Sequence, residues 1–455
     1  MMPFSSPTTL GIDIGTTKVA VAITNAETKE VVATASLPHE SDVQGLVAGR
    51  SEQDVSRILS CLDACIELLP EGTRRSATAI GTTGQMHGVV LWNQSNRDVS
   101  HLVTWQDQRC LEDGFLARLQ TTTGDQGAQS GYGTSTLAWL ATYEPELLHR
   151  YTAAATIHDY LVTLISGNST IYTDPSDAAS FGFFDLRSRM WREDCIAKAG
   201  FPKSLLPTIL PAGERVGGLS AEHARRWKMP SGIPVANAVG DNQASLFGSL
   251  TDPNHQIALT IGTGAQLSVV IPNLPSELTS GSCEYEFRPY VGNSYIAVVA
   301  SLSGGRALAA LGRALEDFMS KVSINPPPSI DTIQTVMHEQ GLSRIATTLE
   351  ANASLSGQRH DLSLRGSFTN LSFDTFTIGD MTAALSRGLV YSLKGALPIE
   401  FLTSKREVVG SGNAIRRSPL MQHIIRECFG CNLRLQEGNE TTATGAALLA
   451  IRSIS

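Results

Sequence analysis

Clustered basic residues are the first thing this chain lacks. Lys and Arg number 35 against 43 Asp and Glu, giving a formal net charge of −8. A nucleic-acid partner is not expected, because phosphate backbones are gripped by clustered cations. Long apolar runs are missing too. No window reaches the roughly 18 uninterrupted apolar residues of a spanning helix, so no membrane partner is expected. Residues 1–9 have neither a basic n-region nor an apolar core, which argues against a secretory leader. The seven cysteines are odd in number and scattered, as suits reduced thiols in the cytoplasm. Cys428-Phe429-Gly430-Cys431 has no second Cys or His pair at zinc spacing and reads as structural thiols. No G-x-x-x-x-G-K-[ST] occurs, so a P-loop is ruled out. Charged residues are only 17% of the chain, too few for extended disorder.

What is present suits two domains: 455 residues, 42% of them hydrophobic, exceed one ordinary core. The 40 glycines mark a chain rich in turns and close backbone approaches. Leu10-Gly11-Ile12-Asp13-Ile14 and Val19-Ala20-Val21-Ala22-Ile23 flank Gly15-Thr16-Thr17-Lys18, the layout of a hairpin. Ile257-Ala258-Leu259-Thr260-Ile261, Gly262-Thr263-Gly264 and Gln266-Leu267-Ser268-Val269-Val270-Ile271 repeat it. Gly262 stands 247 positions after Gly15. A doubled strand–turn–strand unit predicts two similar domains facing a shared cleft. Glycine lets backbone amides approach a phosphate and threonine adds hydroxyls. The copies differ at Asp13, which aligns with Thr260. A carboxylate beside a phosphate needs a divalent cation between them, so Asp13 is a candidate for positioning Mg²⁺ through water.

Apolar spacing predicts a helix over 53–69, strands over 77–81 and 89–92, and helices over 304–319 and within 378–397. This alternation is α/β. Pro326-Pro327-Pro328 reads as a stiff connector, and Gly248 with Thr251-Asp252-Pro253-Asn254 favours a domain boundary over 245–254.

Three polar segments sit where small-molecule sites form in α/β folds. Gly84-Gln85-Met86-His87-Gly88 follows a strand, though His87 alone also fits a satisfied, half-buried histidine. Thr104-Trp105-Gln106-Asp107-Gln108-Arg109 sets an aromatic beside planar polar groups, as suits a polyhydroxylated ligand; Asp107 with Arg109 also reads as a surface ion pair. Val235 to Val239 reads as a strand leading into Gly240-Asp241-Asn242-Gln243. Asp241 is either a helix N-cap or a carboxylate able to take a proton from a hydroxyl attacking phosphorus. Later, Val408-Val409-Gly410-Ser411-Gly412-Asn413 is a turn before a helix, fit to lie against a purine or ribose. Thr441-Thr442-Ala443-Thr444-Gly445-Ala446-Ala447 starts a helix of small residues.

In this order the segments resemble the FGGY carbohydrate kinases over nearly the whole chain. The stretches Glu52 to Leu59, His101 to Asp107, Thr156 to Tyr160 and Ala300 to Gly305 fit best the members that act on sedoheptulose. The resemblance implies two ribonuclease H-like domains of the actin-like ATPase fold around a central cleft. Residues 1–248 would hold sugar, the first phosphate hairpin and the catalytic Asp; residues 249–455 would hold the second hairpin and adenosine. It implies Mg²⁺-dependent transfer of the ATP γ-phosphoryl to the terminal hydroxyl of a ketose, sedoheptulose above others. A xylulose-type ketose or polyol kinase is the alternative. A non-enzymatic actin-like ATPase is a reading from another class, one with no use for the sugar-facing segments. By this matching Asp241 is the catalytic base and lies at the metal, and Asp13 approaches the metal through water. Gln85, Met86, His87, Gln106, Asp107 and Asn242 match sugar positions. Gly15, Thr16, Thr17, Lys18, Gly262, Thr263, Gly264, Gly305, Gly410, Ser411, Gly412 and Asn413 match nucleotide positions. A cytoplasmic monomer or homodimer is expected. One departure is Thr136 in Thr136-Leu137-Ala138-Trp139, where the family often has Lys.

Overall fold

The computed structural model describes residues 6–276, 284–322, 326, 328–355, 357, 361, 363–436, 438 and 440–454. Pro327 of the expected connector lies outside them. The chain forms two compact units, one of residues 1–249, 289–292 and 438–455, the other of residues 250–288 and 293–437.

The first unit is built on a mixed sheet. Strands β1 (Thr8–Ile14), β2 (Lys18–Asn25) and β3 (Val31–Pro38) run antiparallel in turn. On the other side of β1, β4 (Ala77–Gly84) pairs parallel. The edge is made by β5 (Arg215–Gly218), β6 (Pro234–Ala236) and β7 (Val239–Gly240), with β6 and β7 both parallel to β4. The single strand expected over 235–239 is thus two short ones, broken at Asn237.

Strict alternation explains the layering, since successive side chains of a strand point to opposite faces. Leu10, Ile12, Ile14, Val19, Val21 and Ile23 are fully buried on one face. There they pack with Val55, Ile58, Leu62 and Ile66 of helix α1 (Val55–Glu67), which Asp54 caps by accepting from the Ser56 and Arg57 amides. Ala20, Ala22 and Gly11 line the other face. A Cβ on Gly11 would lie 1.8 Å from the Ala443 carbonyl, and one on Gly81 2.1 Å from that of Ala446. The sheet therefore accepts only a helix of small residues, packed backbone to backbone. That helix is the chain's penultimate element, Thr441–Ala450. Residues 438–455, expected in the C-terminal domain, accordingly pack with the first unit.

Between β4 and β5 lie the helices α2 (Gly133–Tyr143), α3 (Ile157–Ser166) and α4 (Pro175–Phe181). Helices α2 and α4 contribute to a second apolar cluster, whereas Ile157, Leu161 and Ile165 of α3 pack into the first. Helix α5 (Asp241–Ser249) follows β7 directly.

The second unit repeats the strand order. Its β8 (Gln256–Ile261) pairs antiparallel with β9 (Ala265–Ile271), and β9 antiparallel with β10 (Tyr295–Ser301). On the other side β11 (Glu407–Ser411) runs parallel to β8 and β12 (Asn432–Leu435) parallel to β11. Helices α6 (Gly305–Lys321), α7 (Ile378–Gly395) and α8 (Pro419–Phe429) pack on this sheet. The C-terminal small-residue helix Thr441–Ala450 is α9. Among the described residues no helix is long and apolar enough to cross a membrane.

Candidate active site

The sheet of the first unit brings Asp13, Gln85 and Asp241 to one edge. Asp13 is paired with Thr83 of β4, and Val239 is paired with the same residue from the far side. Asp241 follows two residues on, as the first residue of α5. Burial and the charges of Asp241 and Glu440 raise the Asp13 pKa to about 7, against an opposing pull from Lys18. Asp13 Oδ1, Thr83 Oγ1 and Gln85 Oε1 are buried without a hydrogen-bond partner. Unmet buried polar atoms cost free energy unless something else meets them.

The Gly15 turn closes by the Gly15 amide donating to the Lys18 carbonyl at 3.0 Å. Its underside is fixed by side chains. Gln53 Nε2 donates to the Thr16 carbonyl at 2.8 Å. His39 Nε2 meets the Gly15 carbonyl at 3.2 Å, so that nitrogen carries the proton. Trp105 Nε1 donates to Thr16 Oγ1 at 3.0 Å, tying the aromatic segment to the turn. Thr17 and Lys18 are exposed, and Lys18 Nζ bridges both oxygens of Glu440 at 2.6 and 2.7 Å.

His87 takes a left-handed backbone, φ 74°, and stacks on Tyr132 with ring centroids 4.6 Å apart. Its Nδ1 lies 2.7 Å from the Ser180 carbonyl. A carbonyl only accepts, so Nδ1 carries the proton and Nε2 of the neutral ring is the acceptor. Met86 is buried and packs on Gly240, where a Cβ would come 2.4 Å from Met86 Cε. Gln106 and Trp105 are exposed.

Asp107 differs from its expected role. Its carboxylate is buried, not at the surface, and both oxygens are used within the protein. Oδ1 accepts from the Arg109 amide and Nε at 2.9 and 2.8 Å, and Oδ2 from the Ser51 amide and Arg109 Nη2 at 2.8 and 3.0 Å. Arg109 also donates to Glu52 at 2.7 Å and lies over the Trp139 ring. Burial works against the Arg109 charge, but Asp107 and Glu52 outweigh it and raise its pKa. Asp107 thus holds the Trp105 loop in shape.

Behind Asp241 lies a buried cluster not foreseen as a site: His158, Asp159, Asp174 and Asp177. His158 Nε2 is 2.9 Å from Asp177 Oδ2. Burial lowers the His158 pKa. Burial, then the Asp177 charge, raises that of Asp159 to about 7. Burial also raises Asp174 and Asp177, Asp177 further through the Asp174 and Asp241 charges. In the sequence Asp174-Pro175-Ser176-Asp177 carries an N-cap and Pro at N1, a helix start that hides any other use.

In the second unit the Gly262 amide donates to the Gly264 carbonyl at 2.9 Å, closing the turn. Gly304 and Gly305 pack onto it: a Cβ on Gly304 would sit 2.2 Å from the Gly264 carbonyl, and the Gly305 amide donates to the Gly262 carbonyl at 2.8 Å. The Gly305 amide is therefore spent on the turn, not presented outward. Beside it, Ser411 Oγ is 2.7 Å from Thr260 Oγ1. Gly412, at φ 92°, would place a Cβ 2.3 Å from the Ile261 carbonyl. Thr263 and Asn413 are exposed.

Two sheets of one strand order, each opening on a Gly-Thr hairpin, define the actin-like ATPase fold. The model of the FGGY family of carbohydrate kinases, N-terminal domain, matches residues 8–248. Sedoheptulokinase of Homo sapiens is 34% identical over 98% of each chain. Xylulose kinase of Staphylococcus xylosus is 25% identical over 97% of this chain and 90% of its own. The solved xylulose kinase from Rhodospirillum rubrum superposes with a TM-score of 0.81 at 22% identity, covering 98% of this chain and 91% of that one. The protein belongs to the FGGY family of carbohydrate kinases. It is a phosphotransferase with an alcohol acceptor, and its family implies a sugar and ATP as substrates.

Proposed function

We propose that the protein transfers the γ-phosphoryl of ATP to the terminal hydroxyl of sedoheptulose, giving sedoheptulose 7-phosphate and ADP. The observation that carries the site is the row of unmet buried polar atoms, Asp13 Oδ1, Thr83 Oγ1 and Gln85 Oε1, at the sheet edge that Asp241 joins. The choice of sugar rests on the 34% identity to the human sedoheptulokinase over 98% of both chains.

Asp241 accepts the proton of the sugar hydroxyl as its oxygen bonds to the γ-phosphorus and the bridge to the β-phosphate breaks. In a loose transition state the proton leaves late, so a carboxylate of ordinary basicity suffices if it sits within hydrogen-bond reach. Gln85, His87, Gln106 and Asn242 orient the sugar. In the first unit the Gly15–Lys18 turn meets phosphate; in the second, Gly262–Gly264 and Gly410–Asn413 meet nucleotide. The hard oxygens of Asp13 and Asp241 suit Mg²⁺, and Asp13 would hold it through water. Bound there, Mg²⁺ offsets the charge of the triphosphate and of a carboxylate that burial makes costly to ionise.

A coupled assay of ADP release across sedoheptulose, xylulose, ribulose and glycerol tests the reading. The expected result is highest kcat/KM with sedoheptulose and none in EDTA. A preference for xylulose would move the substrate to a pentulose, and release indifferent to sugar would overturn phosphoryl transfer to it.

A further inference from the structure

Gly240, the residue before Asp241, is held from two sides. On one, Met86 fills the space a Cβ would need. On the other, the Gly240 amide donates to Ser176 Oγ at 3.2 Å. Ser176 Oγ in turn donates to Asp174 Oδ1 at 2.6 Å, and the same oxygen accepts from the Asp177 amide at 3.0 Å. Ser176 and Asp174 are each only 2% exposed. Capping of α4 needs Asp174 and the Asp177 amide alone, so the Ser176 hydroxyl is surplus to it. The strand it touches needs an anchor: β7 is two residues long and, among the described residues, pairs only with Thr83 and Gly84. Nearby, His158 Nε2 lies 2.9 Å from Asp177 Oδ2, but neither atom has a hydrogen-bond partner.

We propose that Ser176 is a positioning residue for the reaction: its hydroxyl, aimed by Asp174, fixes the Gly240 amide and so sets where the Asp241 carboxylate stands. This rests on the reading of Asp241 as general base. Displacing a base by a fraction of an ångström to 1 Å costs rate far more than affinity.

The test is a double-mutant cycle of Ser176→Ala and Asp241→Asn on the full chain, with kcat, the KM for ATP and Tm for each. The expected result is a kcat loss of roughly tenfold to 100-fold for Ser176→Ala, with the KM for ATP within about twofold. In the Asp241→Asn background Ser176→Ala should cost nothing further. Asp174→Asn keeps both acceptor and cap, and should retain most of the turnover. Should Ser176→Ala not fold, Ser176→Cys fills the same space with a poor acceptor and takes its place. Equal losses in both backgrounds, or full kcat in Ser176→Ala, overturn the positioning role. Full turnover in Asp241→Asn instead overturns the general base itself, which keeps the two failures apart.

Discussion

Asp13 and Asp241 flank one strand end: β4 separates them, and Thr83 is register partner both to Asp13 and to Val239, two residues before Asp241. The Asp241 charge is felt at Asp13, second only to burial among the causes that raise its pKa to about 7. Two carboxylates at one edge repel unless a cation is shared. Asp13→Asn removes one charge at constant size. We expect the Mg²⁺ concentration at half-maximal rate to rise by about 10- to 100-fold, the range for groups that act on a metal through its outer ligands. An unchanged Mg²⁺ dependence would remove Asp13 from the metal.

The Trp105 loop separates ligand contact from scaffold. Gln106 is exposed, whereas Asp107 spends both oxygens on Arg109 and Ser51. Gln106→Ala should raise the KM for sugar and leave Tm in place. Asp107→Asn leaves the buried Arg109 short of a partner and should destabilise the unit by about 3 to 5 kcal/mol. Urea unfolding and sugar saturation curves of both variants check this. A sugar KM effect of Asp107→Asn without loss of stability would contradict it.

The C-terminal helix α9 depends on glycine at close contacts. A Cβ on Gly445 would lie 1.8 Å from the Ala244 carbonyl. Gly445→Ala should destabilise by about 3 kcal/mol, because backbone cannot yield as a side chain does. Gly72 has nothing within 4 Å, and Gly72→Ala, in a helix, should be neutral or stabilising by up to about 1 kcal/mol. Denaturation midpoints of the pair test the close packing.

Why some of this was legible in the sequence follows from range. The hairpins and α1 are local: apolar period 2 in Leu10–Ile23 and helical spacing from Val55 to Ile66 name both the element and its buried face. The partner of α9 has no such signal. Its small residues are apolar on every side, and Gly11 lies 432 positions before Ala443. Asp107 read as a ligand because its acceptors are filled partly by Ser51, 56 residues away. Ser176 was hidden by the helix-start pattern around it.

Asp159 gives the stability a pH dependence. Burial raises its folded pKa to about 7, against 3.8 for an ordinary aspartate. As pH rises between these values the unfolded chain loses the proton first, so the folded state is disfavoured across that window and the effect is flat above it. Asp159→Asn should therefore gain on the parent protein by about 2 kcal/mol between pH 5 and pH 7, from nearly two pH units at about 1.36 kcal/mol each. Urea midpoints at the two pH values measure it. A difference that stays constant or reverses would contradict the buried-carboxyl account.

Turnover of Asp241→Asn decides whether Asp241 is the general base. Asparagine keeps the size and serves a helix start about as well as aspartate, but takes no proton. With sedoheptulose and saturating Mg²⁺–ATP, kcat should fall by about 10² or more, while nucleotide affinity and Tm hold. If Asp241→Asn turns over near the parent rate, Asp241 is a helix-capping residue and the base lies elsewhere.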